Sequence, residues 1–185
     1  MDDIETRLAK VEARLAIQEL AARYARCVDS RDLDALMTLY VEDVALGDGR
    51  TGHAGLKQQF VEALSAFYRS VHQIVGQVID LVDADHATGT VYCRAEHECG
   101  DRWVAMAICY FDTYERRDGT WLFVRRQIRS FYHADIGRGP AIPYDIWPGR
   151  NETIHSNNLP QRWTSWAPFW ADTPAERLAQ LTVRP

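Results

Sequence analysis

The 185-residue chain has no basic run, no C-x-x-C pair and no apolar stretch near the roughly 20 residues of a membrane-spanning helix. Each absence removes a class of function. A formal charge of −5 without clustered Lys or Arg argues against nucleic acid or a membrane surface as the partner. Cys27, Cys93, Cys99 and Cys109 have neither metal-site nor redox spacing, and the opening "MDDIETRLAK" is polar and helical rather than a signal peptide. Reduced thiols and a cytoplasmic location are expected. The sequon Asn151-Glu152-Thr153 then reads as a chance match. There is no H-x-H or H-E-x-x-H, no G-x-S-x-G, no phosphate-binding glycine loop and no dinucleotide fingerprint. The expectation is therefore no metal, no cofactor and no serine nucleophile.

Aromatic residues are plentiful: six Trp, eight Tyr and six Phe in a chain that is 46% hydrophobic. That is more rigid apolar surface than a minimal core requires, so part of it can line a cavity for a hydrophobic small molecule. Helical periodicity runs through Ile4, Leu8, Val11 and Leu15 and on through Ile17, Leu20, Ala21, Tyr24 and Val28. Asp32 is placed to cap a second helix carrying Leu33, Leu36, Leu39 and Tyr40; after the turn Gly47–Gly52, a third runs from Leu56 to Phe67. The period then becomes two, predicting strands over Val71–Val82, Ala87–Glu98, Arg102–Glu115 and Trp121–Tyr132. "DADH" and "RRDGT" read as hairpin turns. Helices followed by an antiparallel meander define an α+β class. Residues 1–136 form the expected domain, and 137–185 a Pro- and Trp-rich extension packing on the domain, the pocket mouth or a neighbouring subunit. A short helix over Pro174–Leu181 closes the chain.

Some polar residues stand out against this pattern. Asp29 falls in the last turn of the first helix, where a carboxylate faces the negative end of the helix dipole and needs a partner. His72 shares a strand face with Ile74, Gly76 and Val78, and His97 with Val91, Cys93 and Ala95, so both point inward. An Asp–His pair orients an imidazole and raises its basicity, which suits it to proton abstraction near neutral pH. His53 and His86 fall in turns and are expected to face solvent. On the last strand Arg125 and Arg129 share one face and Arg126 takes the other; one of the three could hold an anionic substrate group.

The segments "IQELAARYARCVDSRDLDALMTLYVEDV", "VHQIVG", "AEHE" and "YERRDGTWLFVRR" resemble the SnoaL-like branch of the nuclear transport factor 2-like superfamily, over Ile4 to Tyr132. The resemblance implies a cone-shaped α+β barrel whose curved sheet surrounds a deep pocket. Within the branch the chain is similar to scytalone dehydratase and related cofactor-free lyases, whose Asp, first His and second His match Asp29, His72 and His97. It departs from them at Val28 and near Asp48, where tyrosines are expected; Tyr24, a helical turn back, is the substitute. The implied function is a lyase acting on an aromatic or polycyclic molecule by elimination or aldehyde-releasing retro-aldol cleavage. His72, Asp29, His97 and Tyr24 would be its catalytic residues, and Asp48, Arg129, Trp103 and Tyr40 its substrate contacts. The alternatives are a ketosteroid-isomerase-like enzyme using Tyr24 and Asp48, and a non-catalytic ligand-binding domain. Lyases of this type also imply a homo-oligomer, with a trimer favoured.

Overall fold

A computed structural model describes residues 3–138 and 159–182. The sequon and Trp147 lie outside the described residues. Helix α1 spans Ile4–Ser30 without a break, capped by Asp3, whose carboxylate accepts from the Thr6 amide at 2.8 Å. Its two halves differ. Ile4, Leu8, Val11 and Leu15 are exposed, and burial starts at Ile17, where the helix meets the sheet. Periodicity alone marks both halves as apolar but not which of them has something to pack against. Helix α2, Leu33–Met37, stops short of Tyr40, which forms an isolated parallel bridge with Phe123. Helix α3, His53–Leu64, begins earlier than the periodicity implied. His53, expected in solvent, is instead half-buried in its first turn, with Nε2 3.1 Å from the Tyr40 carbonyl.

Strands β1 Ser70–Leu81, β2 His86–Cys99, β3 Arg102–Arg117 and β4 Thr120–Arg138 form one antiparallel sheet in sequence order. The β3–β4 hairpin turns at Asp118 (φ 49°) and Gly119 (φ 78°), the paired left-handed residues that a tight two-residue hairpin demands. A bulge at Val75 separates Ile74 from Gly76 in the pairing with β2 and reverses the side-chain alternation. Val78 therefore leaves the face of His72 and is exposed, while Ile79 enters the core.

The N-terminal helices pack on the curved sheet around a core that includes Ile17, Leu20, Leu36, Val91, Ile108 and Phe123. This is the α+β cone expected from the sequence. After the undescribed stretch, helices α4 Trp166–Trp170 and α5 Ala175–Leu181 bury Trp166, Trp170 and Leu181 in a second cluster against Tyr68. The four cysteines are free, and among the described residues no helix is long and apolar enough to cross a membrane.

Candidate active site

Asp29 sits where α1 ends. The Asp32 amide reaches back to the Cys27 carbonyl at 2.9 Å and the Arg31 amide to that of Val28 at 3.2 Å. This C-terminal cap places Arg31 in left-handed backbone (φ 60°), a conformation usually taken by glycine. Asp32 then caps α2 through the Ala35 amide at 3.1 Å. Two reversals within four residues aim the Asp29 side chain at the start of β1. There its carboxylate accepts three hydrogen bonds: from Ser70 Oγ at 2.9 Å, the His72 amide at 2.8 Å and His72 Nδ1 at 2.7 Å. The partners on β1 offset the unfavourable helix dipole. An ionised carboxylate only accepts, so neutral His72 carries its proton on Nδ1, and the Nε2 lone pair is the nitrogen left to meet a substrate.

His72 lines a cavity of about 470 Å³, in the range of sites for drug-sized ligands. Leu56, Phe60, Leu64 and Phe67 supply apolar wall from and after α3, while Tyr24, Tyr40, Tyr110 and Arg126 supply a polar region. Burial raises the phenol pKa of all three tyrosines, with Arg126 opposing the rise, so each remains a hydrogen-bond donor at neutral pH. Arg126 lies over the rings of Tyr24, Tyr110 and Phe123 at 4.2–4.4 Å, and its Nε and Nη2 donate to Asp112 at 2.9 and 2.7 Å. Alternation separates Arg126 from Arg125 and Arg129, and a bulge at Val124 then turns Arg126, not Arg125, to the buried face of Trp121 and Phe123. Its inward position could have been sought through Asp112, an acidic residue on an otherwise apolar strand face. Among the described residues no set of three or more His, Cys, Asp or Glu side chains is arranged to hold a metal ion.

The other candidate residues are dispersed. His97 lies beside the pair, its ring centroid 5.7 Å from that of His72 and 4.4 Å from that of Phe67, but it is not part of the cavity wall. Asp48 is in a solvent-exposed turn, accepting from the Arg50 amide, Nε and Nη2 at 2.7–3.0 Å. Those bonds pull its pKa down to about 2, which makes it a poor base for an isomerase. Trp103 donates to Glu96 at 2.7 Å away from the cavity, and Arg129 is exposed on β4 with its guanidinium on the Ile128 carbonyl. Tyr40 alone of the four expected substrate contacts lines the pocket.

Burial, reinforced by the nearby His72 imidazole and the Arg31 guanidinium, pushes the His97 pKa down from 6.5 to about 4. His97 is therefore neutral at pH 7. Its folded-state pKa lies below the unfolded value, so its contribution to stability is complete above about pH 6.5 and is lost as pH falls toward 4. The expected loss is roughly 2–3 kcal/mol across that window. Urea unfolding of wild type and His97→Phe between pH 4 and 7 checks this, since the variant should show a flatter profile.

The SnoaL-like domain pattern matches residues 9–127. The chain belongs to the SnoaL-like domain family. An uncharacterised protein of Mycobacterium tuberculosis is 32% identical over 129 residues, covering 64% of this chain and 86% of that one. The gamma-hexachlorocyclohexane dehydrochlorinase of Sphingobium indicum is 25% identical over 138 residues, covering 70% of this chain and 87% of the enzyme. Among solved structures, a scytalone dehydratase-like protein of Novosphingobium aromaticivorans matches with TM-score 0.61 and 25% identity, over 73% of this chain and 97% of that one. A hexachlorocyclohexane dehydrochlorinase of Novosphingobium barchaimii, at 24% identity and TM-score 0.66, shares the fold over 74% of this SnoaL-like chain and 99% of its own.

Proposed function

We propose that this SnoaL-like protein is a cofactor-independent lyase acting on a hydrophobic, aromatic or polycyclic small molecule. One observation carries the reading: the Asp29-bound imidazole of His72 stands in the wall of an apolar cavity large enough for such a ligand. His72 Nε2 takes a proton from carbon, and the C–H electron pair becomes the new π bond. The C–O pair departs with oxygen, which receives the proton that His72 Nε2 has just taken and leaves as water, so the base is returned neutral. Asp29 stabilises the imidazolium formed meanwhile. Tyr24 and Tyr40 donate to charge developing on a substrate carbonyl or leaving oxygen. His97, held neutral, is not a cationic acid at pH 7. If the base instead takes an O–H proton, the same cavity serves C–C cleavage with release of an aldehyde. The relatives named as a dehydrochlorinase and as scytalone dehydratase-like support an eliminating enzyme.

The test is mass spectrometry of hydroxylated aryl and polycyclic compounds incubated with wild type and His72→Ala. A wild-type-only loss of water or formaldehyde is the expected result. An isomer of unchanged mass would replace the lyase with an isomerase, and a compound retained but unchanged would make the protein a binding module.

The solvent face of the sheet leaves Val75, Tyr92, Phe111 and Phe131 exposed, with Tyr92 stacked on Phe131 at 5.9 Å. Such a patch favours association. We propose a second copy of the chain as its occupant, in a homo-oligomer and most simply a trimer; sedimentation as a monomer at micromolar concentration would refute it.

A further inference from the structure

A second buried cation lies behind the Asp29–His72 pair, and the proposed chemistry does not use it. Arg31 is 2% exposed. Its guanidinium donates to the carbonyls of Val28 at 2.7 Å, Tyr68 at 3.0 Å and Phe67 at 3.4 Å, and to Ser70 Oγ at 3.0 Å. A guanidinium has no acceptor. Ser70 must therefore accept from Arg31 and direct its own hydrogen to Asp29 Oδ1, at 2.9 Å. The chain of donors runs one way, from Arg31 through Ser70 to Asp29. It ends on the same oxygen that receives His72 Nδ1.

Three aromatic rings surround the Arg31 guanidinium: Phe67 at 5.1 Å, Trp166 at 5.0 Å and Phe169 at 5.6 Å. The last two belong to the C-terminal segment, beyond the residues the family pattern matches. That segment is fastened beside the site. Ser165 Oγ donates to the Ser30 carbonyl at 2.8 Å, one residue after Asp29, and Trp166 and Trp170 pack on Tyr68 with centroids 5.4 and 5.6 Å away. Burial lowers the Arg31 pKa to about 9 while Asp29 opposes the fall, so at neutral pH the rings cover a charged group. Arg31 holds a left-handed backbone (φ 60°), unfavourable for a residue with a Cβ, while these contacts fix its side chain.

We propose that the C-terminal segment is a positioning element of the active site: Trp166 and Phe169 seal Arg31 in the place from which it orients Ser70 and, through Ser70, the Asp29 carboxylate. Arg31 is thus a positioning residue, and its effect on turnover rests on the lyase reading. The remaining ionisable groups near the pair, His97, His133 and the Arg69–Glu98 ion pair, are kept in every variant of the test.

The experiment uses the full chain with Trp166→Ala, Trp166→Phe and Phe169→Leu. The first readout needs no substrate: exchange with water of the His72 Nδ1 proton, followed by NMR. Trp166→Ala should speed exchange roughly tenfold, and Trp166→Phe should return it to within about threefold of wild type. The second readout is kinetic, on a compound that the mass-spectrometric panel shows to be converted: kcat falls about tenfold while KM stays within about threefold. Adding Ser70→Ala to Trp166→Ala should cost little more, because both act on one chain of contacts. A folded Trp166→Ala protein with unchanged exchange overturns the proposal, and so does one with kcat within twofold of wild type. If Trp166→Ala does not fold, Phe169→Leu at its half-buried site decides, with about threefold faster exchange expected and no change overturning the proposal. Faster exchange in a protein that converts no compound would remove the lyase reading and leave the positioning role standing.

Discussion

His72→Ala is expected to lower turnover by about 10²–10⁴, the range for loss of a positioned general base, with its circular dichroism and thermal midpoint near wild type. Asp29→Asn should fall in the same range. Asp29 receives the His72 amide on Oδ2 and both Ser70 and His72 Nδ1 on Oδ1, so it needs two accepting oxygens. An amide offers one. If its oxygen meets the backbone amide, its NH2 faces Nδ1 and forces the proton of His72 onto Nε2, which removes the lone pair from the cavity. The double variant should lose no more than the worse single one, because the two residues act as one base. Steady-state rates of the three proteins on a converted compound measure this. Turnover of either single variant within a few-fold of wild type would exclude the Asp–His mechanism.

Asp29 could be found from sequence because its position contradicts local electrostatics: an acidic residue in the last turn of a helix implies a partner elsewhere in the chain. Inward His72 followed from alternation, since Ser70 to Ile74 precede any irregularity in β1. Beyond Ile74 the same argument fails. One unpaired residue, Val75, reverses every face after it, and nothing in "HQIVGQV" marks the bulge except a glycine. Arg126 is the same failure on β4: Val124 has no partner on β3, so the buried face passes from Trp121 and Phe123 to Arg126 instead of Arg125. Arg31 was not visible at all. A left-handed residue at a helix end is usually glycine, and the tertiary contacts that keep arginine there come from β1 and from residues more than 130 positions away, such as Trp166.

Asp112→Ala should have the largest effect on stability, about 3–5 kcal/mol, the usual cost of removing one partner of a buried ion pair. The Arg126 and Asp112 side chains are 3% and 0% exposed. Burial opposes the Arg126 charge, but two hydrogen bonds and the charge of Asp112 outweigh it and hold the guanidinium pKa above its ordinary value. Without the carboxylate, the cation is left among the rings of Tyr24, Tyr110 and Phe123, whose faces compensate only part of the lost hydration. Tyr114, whose hydroxyl donates to Asp112 at 2.8 Å, also loses its acceptor. For a chain of this length the midpoint should drop by roughly 6–20 °C. Replacing both members, Asp112→Leu with Arg126→Met, should recover much of that loss, because no charge then remains buried. The double variant also separates folding from function: the tyrosines remain at the cavity wall without the cation behind them. If Arg126 serves only to fill the core, the double variant turns substrate over like wild type. If its charge strengthens the phenol donors toward a developing anion, activity falls while stability recovers. Urea unfolding of the single and double variants, with turnover measured on each, distinguishes these outcomes; a loss below about 1 kcal/mol in Asp112→Ala would mean that the pair is worth no more than an exposed one.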